Sequence, residues 1–141
     1  MTNILFYAHS GLRHLVLLVG IIALLYFAFG LATRRTYTKP ARILGAAYTG
    51  LLHLQILLGI VLVVTGIYYP ALIGHIFLML IAVAAAQGLS IFAKRSTDDR
   101  RKWGLSLAAV VVSLALILAG ISAIGRSPFG SSGRPSVAAE Q

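Results

Sequence analysis

Four apolar blocks, each long enough to cross a bilayer, leave this chain few ways to fold. They run over about residues 4–32, 42–69, 71–93 and 103–124 of 141. A helix rises about 1.5 Å per residue, so about 20 apolar residues cover the hydrocarbon of a membrane. Backbone polar groups in lipid must be satisfied within the segment, so each block is expected to be a helix. Only 11% of the residues are charged, against about 25% in a soluble domain. The expected fold is all-α: an integral membrane four-helix bundle whose short connections give it up-down topology. Residues 125–141 are rich in Gly, Ser and Pro and are expected to form a flexible or docking tail.

The first block exceeds the length of a simple crossing, so it tilts or protrudes. It lacks a basic leader and is too long for a signal core, and it is read as a true span. Pro40 suits the first turn of the second helix. Gly45, Gly50, Gly59 and Gly66 on that helix, and the run from Ala82 to Gly88 on the third, offer surfaces for close helix approach. Asp98 and Asp99 complement the N-terminus of the fourth helix, and Trp103 is placed as an interface anchor.

The formal charge of +9 could suggest nucleic acid. The basic residues, however, lie in two loops. Arg34, Arg35, Lys39 and Arg42 join spans one and two; Lys94, Arg95, Arg100, Arg101 and Lys102 join spans three and four. Only Arg13, Arg126 and Arg134 belong to the other side. The positive-inside rule then puts both termini outside the cytoplasm. The expected partner is the lipid bilayer, with no role for nucleic acid.

The candidate chemistry lies in histidine. His9 and His14 sit in the first block, His53 in the second and His75 in the third. Ionisable groups within spans are costly and mark function, and histidines on packed helices suit a metal or haem site. Counted from the outer ends, His9 and His75 come out level; counted from the cytoplasmic ends, His14 and His75 do; His53 lies nearer the bilayer middle either way. A b-type haem needs two imidazoles facing one iron and a cation near its propionates. Arg13, four residues after His9, shares its helix face. For each histidine singly, a helix–helix hydrogen bond is the plainer role, and Arg13 alone would be expected to snorkel to the outer interface. Met79 reads as packing and Gln87 as an interhelical hydrogen bond.

There is no cysteine, which excludes disulfides, thiolate metal sites, iron–sulfur clusters and covalent c-type haem. With no Met-rich cluster either, haem is preferred over bare copper. Histidine can also ligate the magnesium of a chlorophyll-type pigment, and that alternative stays open. No hydrolase arrangement, metalloprotease motif or phosphate loop is present. The three acidic residues all lie outside the spans, which disfavours a carboxylate proton relay.

Residues 5–122 resemble small four-span bacterial membrane proteins labelled cytochrome b-like. The resemblance is carried by His9-Ser10-Gly11-Leu12, by His53-Leu54-Gln55-Ile56-Leu57-Leu58-Gly59, by His75 with Met79, and by Thr97-Asp98-Asp99 among basic residues. The second of these runs is also loosely similar to spans of haem A synthase. The resemblance implies haem b, electron transfer and a bacterial inner membrane. It points to His9, His53 and His75, and it favours His9 over His14, whose position can hold an aromatic residue in that pattern.

The expectation is therefore a membrane b-type cytochrome carrying single electrons, with a quinol as a candidate donor. His9 and His75 form the first-choice axial pair, with Arg13 near a propionate. His53 is expected to ligate a second centre or to line a quinone pocket. The alternative is a structural accessory subunit of a larger respiratory or photosynthetic membrane complex, with no cofactor of its own.

Overall fold

A computed structural model of the chain describes residues 2–130. It contains α1 (Thr2–Ala32), α2 (Lys39–Val64), α3 (Leu72–Arg95) and α4 (Asp99–Ala123). All four helices are long and apolar enough to cross a membrane. The all-α, multi-pass four-helix bundle expected from hydropathy is what forms.

Three of the four helices end in the same way. After α2, Gly66 adopts φ 94°; its N–H donates to Val63 O and that of Ile67 to Leu62 O. After α4, Gly125 at φ 69° repeats the pattern, with Arg126 N–H donating to Ile121 O. This Schellman closure satisfies the last carbonyls and favours a left-handed residue, usually glycine. After α1 the same position is held by Arg34 at φ 50°, a conformation that costs a side-chain-bearing residue about 1 kcal/mol or more. Gly66 explains why α2 stops at Val64, short of Tyr69, where the apolar run itself ends. Tyr68, Tyr69 and Pro70 belong to the turn before α3. At the start of α4 the Asp98 carboxylate accepts from Arg101 N–H at 2.8 Å, so Asp98 is the cap and Asp99 the acidic first-turn residue. The fourth helix consequently begins at Asp99, ahead of the Trp103 boundary set by hydropathy.

Each helix packs on its chain neighbours, and α1 closes the ring against α4. The tightest pair is α3 with α4 and the loosest is α2 with α3. The buried residues of α3 are all alanines, Ala82, Ala86 and Ala93. Those of α4 include Ser106, Ala109, Ser113 and Gly120. Small residues let helices approach closely where lipid offers no hydrophobic drive to associate. Across the bundle, Tyr48 of α2 meets Ser113 of α4 through a 2.8 Å hydroxyl–hydroxyl bond, and both side chains are buried.

Trp103 is an interior pin rather than a lipid-facing anchor. It is 2% exposed, it stacks among Tyr26, Phe27 and Tyr37, and its indole N–H donates to Arg35 O at 2.8 Å. The bond ties the start of α4 to the loop after α1. The 33–38 loop, which carries Arg34 and Arg35, and the 96–98 loop, flanked by Lys94, Arg95 and Arg100 to Lys102, therefore fall at one end of the bundle. The 65–71 turn and the chain ends fall at the other.

Of the expected tail, residues 125–130 are described and fold back on α1. Arg13 Nη2 donates to Gly130 O at 3.1 Å, and the Arg126 guanidinium lies over the Phe6 ring. The rest of the 125–141 tail lies outside the described residues.

Candidate functional site

Two cavities occupy the two halves of the bundle, and they share no lining residue. The one at the end of the 65–71 turn, called the outer cavity after the expected orientation, has a volume of about 270 Å³. Its walls are aliphatic, with residues from all four helices. The inner one, about 490 Å³, lies at the basic end and is lined by α2, α3 and α4 with Phe27 of α1. Val16 and Leu52, both buried, line the inward end of the outer cavity, and the Tyr48–Ser113 bond spans the bundle centre nearby.

His9 and His75 both line the outer cavity. They come from α1 and α3, the diagonal pair of the ring. Each imidazole is seated on a glycine of the neighbouring helix. A β-carbon at Gly59 of α2 would lie 3.2 Å from His9 Cε1, and one at Gly120 of α4 would lie 3.5 Å from His75 Nδ1. His75 Nδ1 is 2.9 Å from Gly120 O. A carbonyl only accepts, so Nδ1 carries the proton and the neutral ring keeps its lone pair on Nε2. A backbone carbonyl holding the far nitrogen is the arrangement that orients histidines bound to metals.

His9 is held differently. Gln55 Nε2 sits 3.3 Å from both ring nitrogens and 3.0 Å from His9 O. Gln55 and Gly59 are one turn apart on α2, so both face His9. Only two buried side-chain polar atoms among the described residues lack a hydrogen-bond partner: Gln55 Oε1 and Arg13 Nε. Both residues line the outer cavity. One is an acceptor and the other a charge-bearing donor. Orphaned polar atoms are expensive in an apolar setting, and two beside one cavity describe the polarity of something that would fill it.

The other two histidines are elsewhere. His14 lines neither cavity. Its Nδ1 donates to Ser10 O at 3.1 Å, and its Nε2 faces Arg13 Nη2 at 3.4 Å. With both nitrogens engaged on its own helix, His14 is poorly placed as a ligand. His53 lines the inner cavity and is exposed there. Its Nδ1 donates to Thr49 O at 2.8 Å, which leaves Nε2 free. Six residues separate His53 from Gly59, a rotation of about 240° around α2, so His53 cannot turn to the His9–His75 cavity. Met79 lies with its methyl over Gly120 and packs α3 on α4.

Among the described residues no three His, Asp or Glu side chains converge as a metal-ion site. A haem iron takes four donors from its macrocycle and needs only two from protein. Sequence reasoning did not single out Gln55, Gly120 or Arg126 as lining the outer site. The Gln55–Gly59 spacing was the available signal for the first. The other two depend on how α4 and the segment after it pack. No protein-family model, curated protein or solved structure matches this chain.

Proposed function

We propose that this protein is a membrane b-type cytochrome that carries single electrons on a haem held in the outer cavity. The observation that carries this reading is the pairing of His9 and His75, from diagonal helices, in one aliphatic cavity. His75 Nε2 has its lone pair available, and the His9 ring, now in contact with the Gln55 amide, would be the second residue to hold the haem. Arg13 and Arg126, which line the cavity, suit the propionates, and the unpaired Arg13 Nε supplies a donor for one. At about 270 Å³ the cavity is just below the usual range for ligand sites. The cavity extends to the α2–α3 side, where Ile60 and Leu80 are exposed, and this loosest seam is where a flat ring has room to enter. The haem would supply the redox chemistry; the chain supplies ligands, a low dielectric and counter-charges. The proposed setting is a bacterial inner membrane, with both basic loops in the cytoplasm and both termini outside. A quinol or a partner subunit is the proposed electron donor.

The test is a reduced-minus-oxidised visible spectrum with pyridine haemochrome quantitation, on protein purified gently from its native membrane. A b-type α band is expected, lost or shifted in His9→Ala and His75→Ala and kept in His14→Ala. Absence of haem from the native protein would refute the reading. One feature favours a second reading. Gln55–His9 and His75–Gly120 are interhelical hydrogen bonds, the usual work of structural histidines. A structural accessory subunit would be colourless, and it would copurify in fixed ratio with a larger complex.

A further inference from the structure

The inner cavity has a chemistry unrelated to the His9–His75 site. Its floor is Phe27 of α1 with Ala109 and Val110 of α4, and α2 and α3 form its sides. Ala46 and Gly50 of α2 line it and are exposed, and in a membrane-spanning bundle a surface exposed between helices meets lipid. Three cations from three helices converge on the mouth of this cleft: Arg42 of α2, Lys94 of α3 and Lys102 of α4. Arg42 and Lys94 have no acidic partner among the described residues, and only Lys102 meets a carboxylate, Asp99 at 3.3 Å. Arg42 and Lys102 stand in the first turns of their helices, where the helix dipole disfavours a cation and favours an anion. The N-terminus of α2 has no side-chain cap and no acidic first-turn residue.

Deeper in the cleft are hydrogen-bond donors. Ser90 and Gln87 lie about 6 and 10 Å inward of Lys94 along α3. Neither side chain has a hydrogen-bond partner among the described residues, and both line the cleft. Unmet polar groups at that depth are costly in hydrocarbon. Further along the same seam the surface becomes aliphatic, with Leu57, Ile60 and Leu80 exposed.

We propose that this cleft binds an anionic phospholipid. The phosphate sits among Arg42, Lys94 and Lys102. The ester carbonyls, which can only accept, take hydrogen bonds from Ser90 and Gln87. The acyl chains run along the α2–α3 seam. The order of cation, donor and aliphatic surface along the cleft matches the order of groups along such a lipid. Basic pockets between membrane helices are known to take lipid headgroups in this way. Ordinary loop basicity does not account for it. Arg34, Arg35, Arg100 and Arg101 lie at the same end of the bundle but do not line the cleft.

Native mass spectrometry of the full chain, released from detergent with equal amounts of phosphatidylglycerol and phosphatidylcholine, tests this. A cation beside an anionic lipid is worth about fivefold in binding. Arg42 and Lys94 together should then give phosphatidylglycerol a preference of about twenty-five-fold, with Lys102 adding less because Asp99 already faces it. Arg42→Gln with Lys94→Gln should bring the two lipids near parity, and Lys94→Gln alone, at an exposed helix end, should remove about a fivefold share. Arg100→Gln with Arg101→Gln should leave the preference intact. Gln87→Leu with Ser90→Ala should weaken retention of both lipids alike. Parity in the unaltered protein would overturn the proposal, as would equal loss in the Arg100/Arg101 variant. Displacement of the lipid by inorganic phosphate would also overturn it, marking a free-anion site instead.

Discussion

Replacing Gln55 by leucine weighs two opposed effects in the outer cavity. The side chain gives two hydrogen bonds to α1, one to His9 O and one to the His9 ring. Interhelical hydrogen bonds within membranes average about 0.6 kcal/mol each, so their loss costs about 1.2 kcal/mol. Against this, Gln55 Oε1 is buried without a partner, and an orphaned acceptor carries a penalty of about 1–3 kcal/mol. Leucine removes the acceptor and fills a similar volume, while the His9 carbonyl keeps its bond within the helix. Relief of the orphaned acceptor offsets the lost bonds, and Gln55→Leu is expected to leave cofactor-free protein between neutral and about 2 kcal/mol more stable. Gln55→Ala, which leaves a hole, should cost about 2 kcal/mol or more. The assay is SDS-titrated unfolding from dodecylmaltoside micelles, followed by circular dichroism. A loss above about 2 kcal/mol in Gln55→Leu would refute the reasoning. It would mean that Oε1 has a partner in the protein as isolated. On the proposed function, the same variant should keep its haem, because His9 is released from a competitor for its ring nitrogens.

Two further substitutions test the fold that carries the site. Gly30→Ala should be among the most damaging small changes, because its β-carbon would lie 2.6 Å from three carbons of the Trp103 ring. That ring is fixed by Tyr26, Phe27, Tyr37 and its bond to Arg35 O, so overpacking of about 1–3 kcal/mol is expected in the same unfolding assay. Gly104→Ala, with open space at its β-carbon, should be neutral or slightly stabilising and serves as the control. Asp98→Ala removes the only side-chain cap seen at a described helix start among α2, α3 and α4; it should cost about 1 kcal/mol and raise amide exchange in the first turn of α4.

Much of the architecture can be read directly from the residues. Blocks of apolar side chains longer than a bilayer is thick can satisfy their backbone only as helices. Gly66, expected from its place in the apolar run to be a packing surface, instead ends α2 through its positive φ, as Gly125 ends α4. Arg34 does the same job without any compositional cue, since nothing in an arginine announces a left-handed residue. Trp103 misleads for a related reason. A tryptophan near a basic loop usually sits among headgroups, and only the packing of α1 and the 33–38 loop encloses this one. Depth along a helix follows from counting, which gives His75 a partner on the first span but does not choose between His9 and His14, because the answer depends on the helix end from which the count starts. Rotation around the bundle does not follow from counting, because the facing element decides it. His53, expected to serve apart from the His9–His75 pair, opens into a different cavity.

The separation of the two cavities has a physical consequence for any account of this protein as a single site. Polar atoms with no partner occur in both halves: Arg13 Nε and Gln55 Oε1 in the outer, Gln87 and Ser90 in the inner. In water such atoms would simply be hydrated. Within a bilayer each needs a complement, and the two halves need different ones. The outer half offers lone pairs and a guanidinium within aliphatic walls. The inner half offers cations and neutral donors in a cleft open to lipid. Both cavities lie along the α2–α3 seam, the least tightly packed of the four. A molecule seated there adds its binding energy to the stability of the bundle, so the loose seam is stabilised by what it holds.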